Sequence, residues 1–435
     1  MEPLRLSQAD VTELGGPAAA AARIRALVPA GDSVAPQVAE ILAAVRDGGE
    51  EALIELIRRF DTGGAEPAPL LVEPEALDEA IRRMPLELVA GLQVAIANVA
   101  LVAEAGVGAE AQVTLPQGHS VRLREIPVGS AAVYVPGGRA AYPSTVVMGV
   151  VTARAAGVLD VAVCAPPGPD GEIDAAILGT CRLAGVERVY RMGGAHAIAA
   201  LAYGTETVRP VDVIVGPGNL YVQEAKHQLS AIVGIDGFAG PSDLLVVLGA
   251  DSGERDAHLA ALDMLAQAEH GAGSLVVAIS PSAEVCERLQ GKLGELLPGR
   301  PTVGDAAFAI AEVASPREAL QLANAFAPEH LELIGADVEP LAPSVQSAGC
   351  LFVGATSGTA FGDYVAGSNH TLPTGGAARF ASGLSPRHFR RRMTEVRIGA
   401  GAAKLAGAGA PIARAEGFEV HAESMEARIG ENPSR

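Results

Sequence analysis

Aromatic side chains are scarce in this chain: Phe, Trp and Tyr make up 3% of its 435 residues, and tryptophan is absent. Proteins that bind single-stranded nucleic acids stack bases on aromatic rings, so this composition disfavours that class. Basic residues are also outnumbered, with 32 Lys and Arg against 51 Asp and Glu, a formal net charge of −19. Because such a charge repels phosphate backbones, we set nucleic-acid binding aside.

Cysteine is similarly rare. The four cysteines contain no Cys-x-x-Cys spacing, so we expect neither a disulfide framework nor a thiolate zinc cluster. Residues 1–5 lack the basic segment and the following apolar run of a signal peptide. The longest apolar stretch, residues 89–103, is interrupted by Gln93 and Asn98 and is shorter than a membrane span. We therefore expect a soluble, cytoplasmic protein.

Hydrophobic residues nevertheless make up 49% of the chain, which is enough for large cores. In the first hundred residues they recur at helical spacing. Val38, Leu42 and Val45 share one helical face, and Gly48 stands where a helix ends. The same spacing returns over residues 53–60. The N-terminal part of the chain is therefore predicted to be helical.

From about residue 120 onward, short apolar runs alternate with helical patterns. Continuous apolar strands that alternate with helices are typical of parallel sheets covered on both faces, a doubly wound, Rossmann-like α/β fold. The chain length and the Gly-Pro punctuation near Pro241 favour two such sheets, with helical extensions at both termini. The predicted strands are 131–135, 160–165, 188–192, 211–215, 244–248, 275–280, 330–334 and 350–353.

These patterns also predict a division into domains. We expect an N-terminal extension over residues 1–30 and a helical tail over 379–435, which begins with an Arg-rich segment. Such arginines are more typical of a solvated helix face or a subunit contact than of an anion site. The first α/β domain, with the metal and catalytic residues, is expected to be discontinuous (31–125 and 241–378), and the second to span 126–240.

Three glycine-bearing turns follow predicted strands and open helices. Free backbone N–H groups face outward at such turns, which is where open α/β sheets bind anionic ligands. Glycine also serves simply to permit a tight turn. Three in one sheet favour a nucleotide or another anionic ligand, bound without a GxGxxG fingerprint or a Walker A loop. The turns are Pro136-Gly-Gly138, Gly193-Gly194 and Gly216-Pro-Gly-Asn219.

A second group of residues is typical of a metal site. Gln267 and His270 are three residues apart on a predicted helix, so they share one face and could ligate one ion. Asp363 and His421 are further possible ligands. Two imidazoles, a carboxylate and an amide oxygen suit zinc, while manganese and cobalt stay open because half of the donors are oxygens.

A third feature is the dipeptide Glu329-His330, at a predicted junction between a helix and a strand. An acid beside an imidazole that titrates near neutrality is a natural place for proton transfer. Dipeptides of this kind are common in loops, so this feature alone carries little weight.

Taken in order, these segments resemble histidinol dehydrogenases. The resemblance covers residues 120–421 with a compatible helical N-terminus, and a chance match at every segment is not credible. The matching segments are Val133-Tyr-Val-Pro-Gly-Gly-Arg139, Gly193-Gly-Ala195, Gly216-Pro-Gly-Asn219, Ile235-Asp-Gly-Phe-Ala-Gly-Pro-Ser242, Ala266-Gln-Ala-Glu-His270, Ala327-Pro-Glu-His-Leu-Glu332, Gly362-Asp-Tyr364, Asn369-His370 and the pair Glu416 and His421.

The resemblance implies residue roles. The family usually carries Gln at the position of His196, Glu at Asp243 and Asp at Gly271. The implied zinc ligands are Gln267, His270, Asp363 and His421; the catalytic pair is Glu329 and His330; the NAD contacts are Tyr134, His196 and Asn219; and the substrate contacts are Ser242, Gln267, His270, Glu329, His330, Asp363, Glu416 and His421.

The resemblance also implies an activity and an assembly. The expected reaction is oxidation of L-histidinol to L-histidine through the aldehyde, with two NAD and one water, as the last steps of histidine biosynthesis. One Zn²⁺ per subunit is expected, with Mn²⁺ as a possible substitute. The expected assembly is a homodimer in which the tail, with Glu416 and His421, completes the partner's site. The residue types suit this chemistry, since His330 can take a hydroxyl proton and Glu329 can activate a water.

Three other functions stay open at this point. A relative that oxidises another small alcohol, such as a sulfonated diol, would share the catalytic pair and the zinc site, although Glu416 favours a cationic amino alcohol. A zinc hydrolase that uses Glu329 to activate water would need no dinucleotide. A non-catalytic α/β binding protein would have neither activity nor a bound metal.

Overall fold

The structure is a computed structural model that describes residues 3–28, 33–137, 140–168, 170–237, 240–271 and 273–430. Four residues of the quoted motifs lie outside these ranges: Gly138, Arg139, Phe238 and Ala239. The described residues form two parallel sheets, one of six strands and one of five, and a small antiparallel sheet of three strands.

The strands of the parallel sheets are short and mostly buried. The described strands are β1 (Leu4–Leu6), β2 (Ala111–Thr114), β3 (Ser120–Pro127), β4 (Ser130–Tyr134), β5 (Asp160–Ala165), β6 (Arg188–Arg191), β7 (Val213–Val215), β8 (Gly234–Ile235), β9 (Asp243–Leu248), β10 (Leu275–Ser280), β11 (Ala307–Glu312), β12 (His330–Ile334), β13 (Cys350–Val353) and β14 (Arg390–Arg397).

Helices cover the parallel sheets and form the tail. They are α1 (Gln8–Glu13), α2 (Pro17–Arg25), α3 (Ala35–Phe60), α4 (Pro74–Arg83), α5 (Leu86–Ala105), α6 (Pro143–Val146), α7 (Thr152–Ala155), α8 (Ala175–Leu183), α9 (Gly194–Tyr203), α10 (Leu220–Leu229), α11 (Glu254–Ala268), α12 (Ala283–Leu296), α13 (Pro316–Phe326), α14 (Thr359–Tyr364), α15 (Ala402–Ala415) and α16 (Glu419–Glu426), and a π-helical turn (Val147–Val151) joins α6 to α7.

The strand orders confirm the doubly wound α/β fold. The six-stranded sheet runs β1-β11-β10-β9-β12-β13, and the five-stranded sheet runs β6-β5-β4-β7-β8. From β9 in one sheet and from β4 in the other, the chain builds outward in one direction and then returns to the other side of that strand; β1 is added beside β11 at the edge of the six-stranded sheet. The reversal makes β9 and β12 neighbours in one sheet, and β4 and β7 neighbours in the other. These two places are the topological switch points.

Strand β9 shows why the sequence folds this way. Its apolar residues are at most 1% exposed, because helices cover both faces of the sheet. Leu245 and Val247 belong to the core on the side of α2 and α13, while Leu244 and Val246 belong to the core on the side of α11 and α12. After Asp243, every residue of the strand is therefore apolar, which is why the sequence pattern reveals it.

The N-terminal helices pack differently from the predicted division. The helices predicted over 38–45 and 53–60 are the two halves of α3, which meet at a sharp turn where Gly49 has φ 58°. Leu42 and Ile57 pack in one core with α9 and the five-stranded sheet. The sequence prediction groups residues 31–125 with 241–378, but the apolar faces of α3 join the core of the five-stranded sheet instead.

The two chain ends also contain strands within the predicted helical extensions. Leu4 of β1 pairs in parallel with Ala309, which adds β1 to the edge of the six-stranded sheet. The Arg-rich segment, predicted to be part of a helical tail, forms β14, which pairs antiparallel with β3. Arg390 donates hydrogen bonds to the carbonyl oxygens of Ala156 and Glu125, which ties the start of this strand down.

Helix α5 is longer than the apolar stretch measured in the sequence. It is the one helix in the described ranges that is long and apolar enough to cross a membrane by length and composition. Core helices of soluble proteins pass the same test. Leu92, Ala95 and Val99 pack against the π-helical turn, and the Asn98 side chain donates to the carbonyl oxygen of Val365 at 2.7 Å. These contacts make α5 part of the fold, which weakens its interpretation as a membrane span.

The packing of the π-helical turn on β4 yields a test. A Cβ atom on Gly149 would lie 2.6 Å from a methyl carbon of Val133, which is fully buried. We expect Gly149→Ala to lower the free energy of unfolding by ~1–3 kcal/mol, because the strand and the helix cannot separate freely. Urea denaturation measures the change.

Gly91→Ala is the matched control. Gly91 lies within α5, and a Cβ atom added to it would meet no other atom within 4 Å, so alanine should stabilise the helix by up to ~1 kcal/mol. Equal free energies for the Gly149→Ala variant and the native protein would contradict the close packing at this turn.

Candidate active site

The residues of the candidate site lie at the amino ends of two neighbouring strands. Ser242 directly precedes β9, and Glu329 directly precedes His330, the first residue of β12. Because β9 and β12 are parallel and adjacent, these starting residues meet at the end of the sheet where the strands begin, here called its amino edge. Open α/β sheets usually bind ligands at the opposite, carboxyl edge. The strand pattern alone could not predict this location.

Reciprocal hydrogen bonds join the two strand starts. The backbone N–H of Glu329 donates to Oδ1 of Asp243 at 2.7 Å, and the backbone N–H of Asp243 donates to Oε2 of Glu329 at 3.0 Å. The Ser242 hydroxyl also donates to Oε2 of Glu329, at 2.5 Å. Nε2 of Gln267 in turn donates to Oγ of Ser242 at 2.6 Å. These hydrogen bonds together fix the Glu329 carboxylate relative to α11.

Arg25, from the end of α2, holds this arrangement in place. One guanidinium nitrogen lies 2.6 Å from Oδ2 of Asp243, which is fully buried, and another donates to the carbonyl oxygen of Phe326 at 2.7 Å. The guanidinium also lies over the Phe326 ring, 3.6 Å from its centre. Ala327, which follows, has φ 51°, an uncommon conformation for a residue with a side chain. Arg25 and Asp243 were not among the predicted site residues.

His330 lies between two carboxylates. Its Nε2 is 3.4 Å from Oδ1 of Asp363, and its Nδ1 is 3.9 Å from Oε2 of Glu329. Burial acts to lower the pKa of His330, but the charge of Glu329 and the hydrogen bond and charge of Asp363 outweigh it and raise the pKa to about 9. Buried Nδ1 has no hydrogen-bond partner among the described residues. It is therefore available to a bound molecule.

The pKa of Glu329 is raised to about 7. Burial is the main cause, and the nearby charge of Asp243 adds to it, while His330 and the bond from Ser242 act in the opposite direction. A carboxyl group with a pKa near 7 can both give and take a proton at neutral pH, which suits general acid–base catalysis.

Asp363 is positioned by the loop that follows α14. Nδ1 of His370 lies 3.0 Å from the carbonyl oxygen of Asp363. The Asn369 side chain donates to the carbonyl oxygen of Met148 at 3.0 Å, which ties this loop to the π-helical turn beside the other sheet. Burial acts to raise the pKa of Asp363, but the hydrogen bond and charge of His330, with the charges of His370 and His270, keep it below its usual value.

The side chains near α11 fit a metal ion. Nδ1 of His270 lies 3.1 Å from the carbonyl oxygen of Gln267, which leaves Nε2 free, a common arrangement for metal-binding histidines. Gln267 uses its amide nitrogen on Ser242, which leaves its side-chain oxygen for an ion. The C-terminal end of a helix also carries a partial negative charge that favours a cation. With Asp363, one chain offers an amide oxygen, an imidazole and a carboxylate.

The two tail residues lie apart from this cluster. Both are exposed: Glu416 directly follows α15, and His421 lies in the first turn of α16, where its ring contacts the ring of Phe418. No hydrogen bond, ion pair or ring contact among the described residues joins either of them to the cluster. Within the same ranges, no group of three or more His, Cys, Asp or Glu side chains is arranged to hold a metal. A single chain therefore does not assemble the four predicted ligands.

The predicted NAD contacts line one cavity of about 890 Å³ at the carboxyl ends of the strands of the five-stranded sheet. Tyr134 ends β4, and its hydroxyl accepts a hydrogen bond from the backbone N–H of Gly194 at 3.1 Å. Asn219 caps α10 by accepting from the N–H groups of residues 221 and 222. The buried His196 lies with Nε2 3.0 Å from Oδ2 of Asp61, at the end of α3. The α3 hairpin closes one side of the cavity.

Gly216, which follows β7, packs closely against the end of β4, whose Tyr134 lines the cavity. It has φ 117°, and a Cβ atom there would lie 2.1 Å from the carbonyl oxygen of Tyr134. Two hydrogen bonds fix the turn. The N–H of Gly216 donates to Oδ2 of Asp236 at 2.7 Å, and the carbonyl oxygen of Gly216 accepts from Nζ of Lys226 at 2.9 Å. Only glycine fits this turn without displacing the end of β4.

Comparison with known proteins decides the family. The model of the histidinol dehydrogenase family matches residues 28–429. The chain belongs to this family. It is 40% identical to a histidinol dehydrogenase of Gluconobacter oxydans over 407 residues, 92% of this chain and 94% of that one. A crystal structure of histidinol dehydrogenase from Elizabethkingia anophelis covers 98% of both chains, with a TM-score of 0.90 and 28% identity.

Membership in the histidinol dehydrogenase family makes the protein an oxidoreductase that acts on an alcohol or an aldehyde. A histidinol dehydrogenase of Pseudomonas aeruginosa is also 40% identical, over 92% of this chain and 91% of that one. The resemblance stated from the sequence motifs is therefore confirmed at the level of the family and the fold. The roles of single residues stay predictions.

The anchor formed by Arg25 can be tested directly. Arg25→Met keeps most of the side-chain volume but leaves the buried Asp243 carboxylate without its cation. We expect the free energy of unfolding to fall by about 3 kcal/mol, as when one partner of a buried ion pair is removed. Activity should fall as well, because Asp243 orients Glu329. Urea denaturation and steady-state kinetics measure the two effects.

Arg23→Met is the control, since Arg23 lies exposed on the same helix. It should leave both stability and activity close to those of the native protein. If Arg25→Met also left both stability and activity unchanged, Arg25 would have no part in supporting the starts of β9 and β12.

Proposed function

We propose that this protein is a zinc-dependent histidinol dehydrogenase. It oxidises L-histidinol to L-histidine through L-histidinal, with two NAD and one water, in the last steps of histidine biosynthesis. The observation that carries the proposal is the meeting of Ser242, Glu329 and His330 with Gln267 and Asp363 at one sheet edge, in a chain of this family. A cytoplasmic location is the matching expectation for such an enzyme.

Zinc would be held by Gln267, His270 and Asp363 of one chain, with His421 as the fourth ligand. When bound, the ion would supply positive charge that holds the nitrogen atoms of the substrate and fixes the reacting carbon. Three donors from one chain leave room for a fourth, in agreement with tetrahedral zinc sites. Mn²⁺ is a possible substitute because two of the donors are oxygens.

His330 is the base for the alcohol. Removal of a hydride from carbon requires that the hydroxyl proton leave as well, and His330 can take it at Nδ1, which has no hydrogen-bond partner among the described residues. The charge of Asp363 helps to raise the pKa of His330 to about 9, so His330 would be a neutral base at pH 7 only once a cation bound to Asp363 offsets that charge. The hydride would pass to NAD held in the cavity lined by Tyr134, His196 and Asn219. That cavity has the volume expected of a cofactor site.

Glu329 serves the second oxidation. The aldehyde must add a water before a second hydride can leave, and the water loses a proton in that step. A carboxylate with a raised pKa of about 7, fixed by Ser242 and Asp243, can take this proton at neutral pH. A second NAD then accepts the second hydride, and the product is a carboxylate.

The tail would complete the site of a second copy. Glu416 and His421 are exposed and make no contact with the cluster of their own chain, within the described residues. In a homodimer, the tail of one subunit would bring His421 to the ion and Glu416 to the cationic substrate of its partner. The carboxylate of Glu416 suits the ammonium group of an amino alcohol and repels a sulfonate.

The stoichiometry of NADH tests the reaction. Purified protein loaded with zinc should form two NADH for each L-histidine produced from L-histidinol, followed by NADH absorbance and by amino-acid analysis. His330→Asn is the informative variant, since it should keep zinc and bind L-histidinol while hydride transfer is lost. One NADH per product, or none at full zinc content, would exclude this function. A set of other amino alcohols, assayed in parallel, defines the substrate.

Mixed dimers test the role of the tail. His421→Ala and Asp363→Ala should each abolish activity when expressed alone. Co-expression should restore about a quarter of the native activity, because half of the dimers are mixed and each mixed dimer has one site with no substitution. A tail that served its own chain would give no restored activity, so the absence of complementation would contradict the shared site.

A further inference from the structure

Two carboxyl groups that no part of the mechanism uses face each other behind the candidate active site. Glu332 lies on β12, two residues beyond His330, and is completely buried. Asp263 lies on α11, one turn before Gln267. The half-buried Asp263 carboxyl faces that of Glu332, since α11 covers the face of the sheet on which Glu332 lies, and a hydrogen bond between the two carboxyl groups shifts the pKa of each. Acidic groups are rarely buried without a cation, so the pair needs an explanation.

The two carboxyl groups can only be bonded through a proton. Neither carboxyl oxygen of Glu332 meets an N–H or O–H donor from the described residues. An ionised carboxylate is an acceptor only, so a bond between the two requires that one of them be protonated. Burial raises the pKa of Glu332 well above its usual value, and the charge of Asp263 adds to this. Burial also raises the pKa of Asp263, to about 6, but Asp263 is only half-buried, so the fully buried Glu332 is the donor and Asp263 the acceptor.

The pair lies where three elements meet. Residues two apart on a strand point to the same face, so Glu332 and His330 both point toward α11, while Leu331 and Leu333 face the opposite core. On α11, residues 263, 267 and 270 lie along one face. At the start of α14, a Cβ atom on Gly358 would lie 2.9 Å from Oδ1 of Asp263, so this helix also abuts the pair.

These three elements carry the chemistry of the proposed site. Strand β12 begins with His330, α11 ends beside Gln267 and His270, and α14 contains Asp363. We propose that the acid–carboxylate bond between Glu332 and Asp263 is the positioning contact that sets α11, and with it the metal-binding side chains, against the catalytic strand. The inference rests on the proposed function for the roles of those side chains, although the contact itself does not.

Chemistry explains why acids would be used at this place. If Asp263 moved away from Glu332, its half-buried carboxylate would lose a charge-assisted hydrogen bond, so a displacement of the helix along the strand is unfavourable. A hydrogen bond between two fixed groups adds a directional requirement to the apolar packing of α11 on the sheet. Glu332 and Asp263 are positioning residues in this proposal, because neither touches a reacting atom.

Two substitutions at Glu332 separate positioning from simple filling of space. Glu332→Gln keeps a donor for Asp263 without an ionisable group, and Glu332→Leu keeps similar volume without a donor. Glu287→Leu, the same Glu-to-Leu replacement at an exposed position of α12, serves as the control. Thermal unfolding of each variant establishes that it is folded.

The first measurement is a Co²⁺ titration followed by visible absorption. We expect Glu332→Leu to bind Co²⁺ ~10- to 100-fold more weakly than the native protein, the usual effect of losing a group that supports metal ligands. Its absorption bands should also change, since the ligands are displaced. Glu332→Gln and Glu287→Leu should bind like the native protein. The KM for NAD should stay unchanged in all three, because the NAD cavity belongs to the other sheet.

The second measurement is amide hydrogen exchange without added metal, which does not depend on the proposed function. Glu332→Leu should exchange faster in α11 and α14, while α12 is unchanged. The inference is overturned if folded Glu332→Leu matches the native protein in both measurements, if Glu332→Gln is as impaired as Glu332→Leu, or if exchange rises equally in α12. Failure of the proposed function would instead appear as native protein that forms no NADH from L-histidinol.

Discussion

The two-way hydrogen bond between Asp243 and Glu329 is the contact on which the site depends. It joins the first residue of β9 to the residue just before β12, and these two strands are neighbours because the chain reverses its direction of building between β11 and β12. The bond keeps the starts of the two strands side by side. His330 therefore lies at the amino edge of the sheet, and the Glu329 carboxylate points toward Ser242. The Arg25 guanidinium stabilises the arrangement, because Asp243 is a fully buried charge that needs a cation.

The location of the site at the amino edge has a chemical reason. The carboxyl end of α11 returns to this edge, so its terminal carbonyl groups and last side chains face the strand starts. A cation is favoured there, just as an anion is favoured at the N-terminal ends of helices near the other sheet. The two sheets thus offer opposite electrostatic environments. One suits a metal and an amino alcohol, and the other suits a dinucleotide with its phosphates.

Much of the fold could be predicted from the sequence, because strands buried on both faces are apolar throughout. Four predicted strands, including 330–334, agree with the structure residue by residue. Strand β14 could not be predicted in this way, since its side chains are largely exposed and its arginines resemble a helical surface. The Gly49 turn was missed by one position because Gly48 and Gly49 are equally suited to end a helix.

The candidate site was predicted only in part, and the missing part consists of long-range contacts. Residues with a chemical role were found because their spacing or their motif marked them. Arg25 and Asp243 are 218 positions apart, and nothing in either local sequence indicates that they meet. The Asp263–Glu332 contact was hidden for the same reason, although Glu332 belongs to a motif that was recognised. A single acidic residue in an apolar strand was the one signal that could have marked it.

Strand β1 has a consequence for how the chain folds. Leu4–Leu6 pair with Ala309–Ala311 at the edge of the six-stranded sheet, and α2 packs with α13 in the same core. During synthesis, Leu4–Leu6 must therefore wait until Ala309–Ala311 have been made before they can pair. Contacts of such long range slow folding and expose apolar strands in the interval. The six-stranded sheet is thus completed only after β11 has been made, and α2, which carries Arg25, can pack against α13 only after that helix has been made as well.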